Sequence, residues 1–224
     1  MTSSFSCKAF SLSLACCAFL LGQTAYAQAF PLEEGQHLPP VEKREAIRGA
    51  QDAEITMVEY ADYECPFCKM HHKTMRSLLT QYPGKVNWVL RQYPLPFHPM
   101  AQPSAQAAIC ILQKKGSRAF WRMSDGLFSV SHSSNPTAEV PLKESDVRRL
   151  ATRNGLRKKE YDACQKDQSV IKLVYNEMSK GTTAGVQGTP TTFLINNRTG
   201  QIRKLSGAQP IEQFKEAIDA LLKF

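Results

Sequence analysis

The stretch Ile55-Thr56-Met57-Val58-Glu59-Tyr60-Ala61-Asp62-Tyr63-Glu64-Cys65-Pro66-Phe67-Cys68 decides how the rest of the chain is read. Its first seven residues are apolar or β-branched over a length that suits a buried strand. Pro66 fits the first position of a helix, where its missing N–H would have no intrahelical partner anyway. Cys68, His72, Met75, Leu79 and Tyr82 then recur on one helical face, and Pro83-Gly84 stops the pattern. The helix therefore runs from Cys65 or Pro66 to about Tyr82. Lys85 to Tyr93, with Val86, Trp88, Val89 and Leu90, reads as a second strand. The unit is β-α-β, which places its two strands side by side and parallel.

Two cysteines stand at the mouth of that helix. Cys65 falls at the N-cap, where its sulfur meets free backbone N–H groups and the positive end of the helix. Lys69 adds charge of the same sense, and all three effects favour thiolate over thiol. Each tenfold gain in thiolate stability amounts to about 1.4 kcal/mol, or about 30 mV of oxidising strength. Cys68 lies one turn inward on the face expected to pack against the sheet, so it should be the more buried. Cys65 would then exchange disulfides with a partner and Cys68 would resolve them. Other readings of the pair are a metal knuckle with His71 or His72, covalent haem attachment, and a purely structural local disulfide. The knuckle lacks a second close cysteine pair, and haem attachment needs His where Lys69 stands.

Downstream, Ala101 to Gln113, Ala119 to Phe128, Lys143 to Asn154 and Lys158 to Lys180 carry helical spacing with no strand signal between them. Strands return at Thr191 to Asn196 and Gln201 to Leu205, joined by a turn at residues 197–200. A last amphipathic helix uses Ile211, Phe214, Ile218, Leu221 and Leu222. Two α/β portions thus flank a helical block. Upstream, residues 28–52 carry Pro31, Pro39 and Pro40 and read as an N-terminal arm.

Residues 1–27 have the pattern of an export leader. Lys8 precedes an apolar run from Ala9 to Gly22, and Ala25-Tyr26-Ala27 offers small residues for cleavage before Gln28. Of the 7 cysteines, Cys7, Cys16 and Cys17 leave with it. Cys65, Cys68, Cys110 and Cys164 remain, an even number in an oxidising compartment. Cys110 and Cys164 both fall in the helical block, where a structural disulfide is expected in preference to two free thiols. The 224 residues carry 28 Lys+Arg against 20 Asp+Glu, a formal charge of +8, with 42% hydrophobic residues. That composition excludes wholesale disorder. The basic residues are scattered without an aromatic-basic module, so no nucleic-acid site is expected. Asn197-Arg198-Thr199 matches a glycosylation acceptor or a simple hairpin turn. His98 reads as a polar neighbour of the active face or as a surface-loop histidine.

Two segments carry a family resemblance. Val58 to Cys68 resembles the active-site segment of DsbA-like thiol–disulfide oxidoreductases of the thioredoxin superfamily. Gly185-Val186-Gln187-Gly188-Thr189-Pro190-Thr191 resembles their cis-proline loop. The resemblance implies an α/β chain with a thioredoxin fold and an inserted helical domain. Its organisation would be a leader at 1–27, an arm at 28–52, and a domain at 53–224 with its insertion at about 100–182. It implies Cys65 as nucleophile, Cys68 as resolving thiol and Glu59 as a buried proton acceptor. Thr189 and Pro190, with Pro66 and Phe67, would bind substrate.

Phe67 departs from the His of strongly oxidising members, and Thr189 replaces a β-branched apolar residue before the cis-proline. The implied partners are exported proteins with cysteines and a membrane quinone-linked thiol oxidase. No organic or metal cofactor is expected, and a monomer is the default. The C-terminus lacks an endoplasmic-reticulum retention signal, so the expected location is a bacterial periplasm. The function implied is introduction of disulfides into exported proteins. The alternatives are an isomerase or reductase kept as a dithiol, and a non-catalytic chaperone or surface protein on the same fold.

Overall fold

The computed structural model describes residues 37–130 and 141–223. The expected leader and the first part of the arm lie outside the described residues. Within them the order is β1 (Ile47–Gly49), β2 (Ile55–Ala61), α1 (Pro66–Gln81), β3 (Val86–Gln92), α2 (Ala101–Lys115), α3 (Ser117–Val130), α4 (Glu144–Arg153), α5 (Lys158–Cys164), α6 (Gln168–Thr183), β4 (Thr191–Asn196), β5 (Ile202–Ser206) and α7 (Ile211–Leu222). The sheet runs β1-β3-β2-β4-β5. β2 and β3 are parallel, Val58 facing Val89, and β4 lies antiparallel on the other side of β2, Glu59 facing Thr192.

The central position of β2 explains why all seven of its residues are buried. Side chains alternate between faces along a strand. Ile55, Met57 and Ala61 enter a core that includes Cys68, Met75 and Leu78 of α1 and Phe214 and Ile218 of α7. Val58 and Tyr60 enter a second core on the opposite face with Leu38, Val89, Ala184, Val186 and Phe193. Glu59 has the parity of Met57 and Ala61, so its carboxyl lies on the α1 side of the sheet, among apolar side chains. Close approach of α6 to the second face depends on Gly181, where a Cβ would stand 2.8 Å from the Tyr60 ring.

The structure differs from the sequence reading in two places and decides between two readings in a third. Part of the expected arm belongs to the sheet: β1 pairs antiparallel with β3 through Ile47 and Val89. Arg91 of β3 holds the chain before it, its guanidinium donating to Glu45 at 2.7 Å and to the carbonyls of Pro39 and Pro40. The helix expected over Lys158 to Lys180 is two helices. Asp167 caps the second by accepting from the Ser169 N–H at 2.8 Å, which ends the first at Cys164. The Asn197 side chain donates to the Ala53 carbonyl and the Thr56 hydroxyl. That engagement favours the hairpin reading over a glycosylation site.

Cys110 of α2 and Cys164 of α5 form a disulfide with 6.2 Å between their Cα atoms. It closes a long loop inside the helical block, for which the chain-entropy model gives about 4 kcal/mol. We expect the Cys110→Ala/Cys164→Ala double variant to unfold with about 2–4 kcal/mol less stability in denaturant titration. A loss below about 0.5 kcal/mol would contradict this role.

Candidate active site

The strand-to-helix turn after β2 brings the two remaining cysteines of the described residues together as free thiols. Cys65 is the N-cap of α1 and Pro66 its first residue. The helix mouth is covered from a distant part of the chain. The Thr189–Pro190 peptide is cis, and the Thr189 carbonyl oxygen stands 3.3 Å from the Cys65 sulfur, where it accepts a hydrogen bond only while that thiol is protonated. Cys68 is the more buried of the two, as its place on the inner face implies, but by a small margin: Cys65 is 3% exposed and Cys68 0%. The loop that carries Thr189 shields Cys65 as well. The difference between them lies instead in proton affinity.

The Cys65 thiol is pulled down to about 6, and its neighbour Cys68 is the largest single cause. The Cys68 thiol gives its hydrogen bond to the Cys65 sulfur. Burial opposes the ionisation, while the Thr189 hydroxyl and the Phe67 and Cys68 backbone N–H groups favour it. The Thr189 hydroxyl has no other partner and is free to turn its hydrogen toward sulfur. Cys68 moves the other way. Burial pushes its thiol well above the ordinary value, and the adjacent Cys65 sulfur adds to the rise. At neutral pH the pair is therefore one thiolate held by one thiol.

Glu59 lies beneath them, 0% exposed, with neither carboxyl oxygen hydrogen-bonded. Burial raises it to about 8, the Trp88 indole opposes the rise, and the Cys65 charge adds to it. A carboxyl that is protonated at neutral pH and electrostatically coupled to both sulfurs can accept or return a proton during exchange. Phe67 and Met70 project large apolar surface from the first turn, 56% and 40% exposed.

Three residues that sequence reasoning left out, or left open, complete the turn. The Asp62 N–H donates to the Cys68 sulfur at 3.5 Å, and the Asp62 carbonyl accepts from the Cys65 N–H at 3.2 Å. His98 donates through Nδ1 to the Asp62 carboxylate at 2.7 Å, so it is a neighbour of the active face. Glu64 accepts from the N–H groups of Met100 at 2.5 Å and Leu142 at 3.1 Å, tying the turn to the helical block. The metal-knuckle histidines are engaged elsewhere, His71 with Thr192 and His72 with Asp125. Among the described residues no three Cys, His, Asp or Glu side chains form a group able to hold a metal.

The family model described as thioredoxin matches residues 42–220. The chain belongs to the thioredoxin family. Its structure is similar to DsbA2 of Pseudomonas aeruginosa, with 27% identity, a TM-score of 0.66, and coverage of 82% of this chain and 97% of that one. BdbD of Bacillus subtilis in its oxidised form superposes with a TM-score of 0.69 over 88% of this chain and all of its own, at 20% identity, which speaks to fold alone. This thioredoxin-family chain is thus DsbA-like, with the helical block α2–α6 set into the α/β core.

A Salinispora tropica protein named Na(+)/H(+) antiporter NhaA 3 is 33% identical over 156 residues, 69% of this chain. The chain spans only 22% of that protein's length, and the transport activity in its name is not carried over. Among the described residues no helix is long and apolar enough to cross a membrane.

The thiolate should be visible directly. Titrating the ultraviolet absorbance of the reduced protein should give a midpoint near pH 6. Cys68→Ala should raise that midpoint more than Thr189→Val, because the neighbouring thiol is the larger contributor. The reverse order, or an unshifted cysteine in the native chain, would contradict the assignment. The folded value lies below that of an unfolded cysteine. The thiolate therefore stabilises the reduced fold at alkaline pH, and this contribution is lost as pH falls through about 6.

Proposed function

We propose that this chain is exported and hands its Cys65–Cys68 disulfide to newly exported proteins that carry cysteines. The observation that carries the reading is the opposed proton affinity of the two sulfurs, with the Cys65 thiolate the better leaving group. A client thiolate attacks the Cys65 sulfur, the Cys65–Cys68 bond breaks, and Cys68 leaves with the electron pair and takes a proton. Glu59 is the nearby acid that can supply it. A second client thiolate then attacks the client sulfur of the mixed disulfide and expels Cys65 as thiolate. The client gains one disulfide and the enzyme becomes a dithiol, so the electrons balance.

The Thr189–Pro190 loop and the apolar Phe67 would hold the client, Pro66 fixing the turn between the cysteines. Re-oxidation falls to a membrane quinone-linked thiol oxidase. We assign no organic or metal cofactor to the exchange. The leader pattern at residues 1–27 supports periplasmic export.

One observation favours a second reading. A thiol at about 6 is mostly ionised at pH 7, which stabilises the reduced pair by only about 1 kcal/mol, or a few tens of mV. That modest figure also suits an isomerase or reductase kept as a dithiol by a partner. The state of the pair in living cells separates the two: oxidised for a disulfide donor, reduced for an isomerase or reductase.

With a reduced, unfolded client such as ribonuclease, Cys65→Ser should lower the oxidation rate by at least about 100-fold. Loaded first as its mixed disulfide with glutathione, Cys68→Ala should accumulate clients disulfide-linked to Cys65, each client thiolate expelling one glutathione thiolate that no resolving thiol can follow. Unimpaired turnover by Cys65→Ser would overturn the assignment of the nucleophile.

Glu59 adds a stability test. Its folded value is raised above the unfolded one, so its contribution is full below about pH 4.5 and lost by about pH 8. On going from pH 4 to pH 8, reduced Glu59→Leu should gain about 2–4 kcal/mol over the native chain in denaturant titration. The same variant should exchange disulfides more slowly. A stability gap that does not change with pH would show that the carboxyl is not held protonated.

A further inference from the structure

We infer that Asp62 and His98 are positioning residues for the resolving step, the pair acting on Cys68 through the peptide groups of Asp62. The inference rests on the exchange reading above and assigns roles that reading does not contain. Both cysteines are hydrogen-bonded to one residue. The Asp62 N–H donates to the Cys68 sulfur and the Asp62 carbonyl accepts from the Cys65 N–H. The orientation of those two peptide groups therefore sets where the Cys68 sulfur sits relative to Cys65.

That orientation is fixed by the side chain. The Asp62 carboxylate, 1% exposed, accepts from three N–H groups: Glu64 at 2.8 Å, Leu95 at 2.9 Å and His98 Nδ1 at 2.7 Å. Glu64 lies within the turn, whereas Leu95 and His98 lie on the segment between β3 and α2. The carboxylate thus staples the cysteine turn to a second piece of chain. With the His98 donor removed, the buried Asp62 carboxylate would have to turn away or draw water in, and its backbone would move with it. His98 closes the outer side of the staple. Its ring is mostly covered, and the side chain also lines a cleft of about 590 Å³ with Pro94, Pro96, Pro99 and Gln102.

The chemical consequence falls on one step. When the reduced pair meets oxidised glutathione, the Cys65 thiolate attacks one glutathione sulfur and expels one glutathione thiolate. The Cys68 thiolate then attacks the Cys65 sulfur and expels the second. The pair loses two electrons, and one oxidised glutathione becomes two reduced molecules. Capture uses the Cys65 sulfur, whose thiolate is supported mainly by Cys68 and Thr189. Release needs a thiolate on Cys68, where the Asp62 N–H is the backbone donor that favours it.

The test follows both steps by acid quenching and mass spectrometry of the full chain reacting with oxidised glutathione. His98 is at the edge of the fold, so His98→Ala is the first variant. It should leave capture within about twofold of native and slow release about tenfold, the scale of one hydrogen bond to a charged group. His98→Asn, whose side-chain amide can occupy the place of Nδ1, should restore release to within about threefold. Asp62→Asn should slow release at least as much as His98→Ala, and combining the two should add little, because they act as one unit.

The inference is overturned if His98→Ala releases glutathione at the native rate, if capture and release slow together, or if His98→Asn behaves as His98→Ala. A native chain that performs neither step would instead refute the exchange reading itself.

Discussion

The hydrogen bond that the Cys68 thiol gives the Cys65 sulfur is the interaction on which the rest depends. Two cysteines of equal proton affinity could form a disulfide, but neither would be favoured to leave or to stay. Here one sulfur is favoured as thiolate by its neighbour's hydrogen, by the Thr189 hydroxyl that can turn toward it and by the helix mouth. The other is buried beside that negative charge and keeps its proton. Proximity alone cannot do this; it requires that the two environments differ within a single helical turn.

The fold supplies that difference from several directions. β2 delivers the turn and places Glu59 beneath it by strand parity. β4, antiparallel beside β2, starts directly after the Thr189–Pro190 peptide, so its pairing holds the Thr189 carbonyl against the Cys65 sulfur. α1 is anchored by Met75 and Leu78 in the core, and its flank is held by the His72–Asp125–Arg48 contacts at 2.8 and 2.7 Å. Glu64 then joins the turn to the helical block. The burial that unites these pieces also costs stability at Glu59, where an unpaired carboxyl is kept in an apolar layer. Such a cost is expected where a proton must be held for chemistry.

Much of this was legible in the chain itself, because its signals are local. The Cys65–Cys68 spacing, Pro66 at the first helical position and the apolar run of β2 sit within 14 residues, and the β-α-β unit follows from them. The parts that were not legible depend on distance. Asp62 meets His98 across 36 positions and Glu64 meets Leu142 across 78, and no spacing rule reports such pairs. The contact that covers Cys65 likewise comes from Thr189, 124 positions away, so its near-complete burial has no signal in the local sequence. β1 is three residues long and too short to show alternation. The break before α6 is a different case. Asp167 followed by Ser169 is a readable cap, overridden in the sequence reading by an apolar stripe that continues across it.

The reduction potential of the Cys65/Cys68 pair, measured by equilibration with glutathione at pH 7, tests the central claim most directly. A thiolate stabilised as described predicts a value less negative than the about −270 mV of thioredoxin. A value at or below that figure would mean that the opposed proton affinities of the two sulfurs do not drive the disulfide outward.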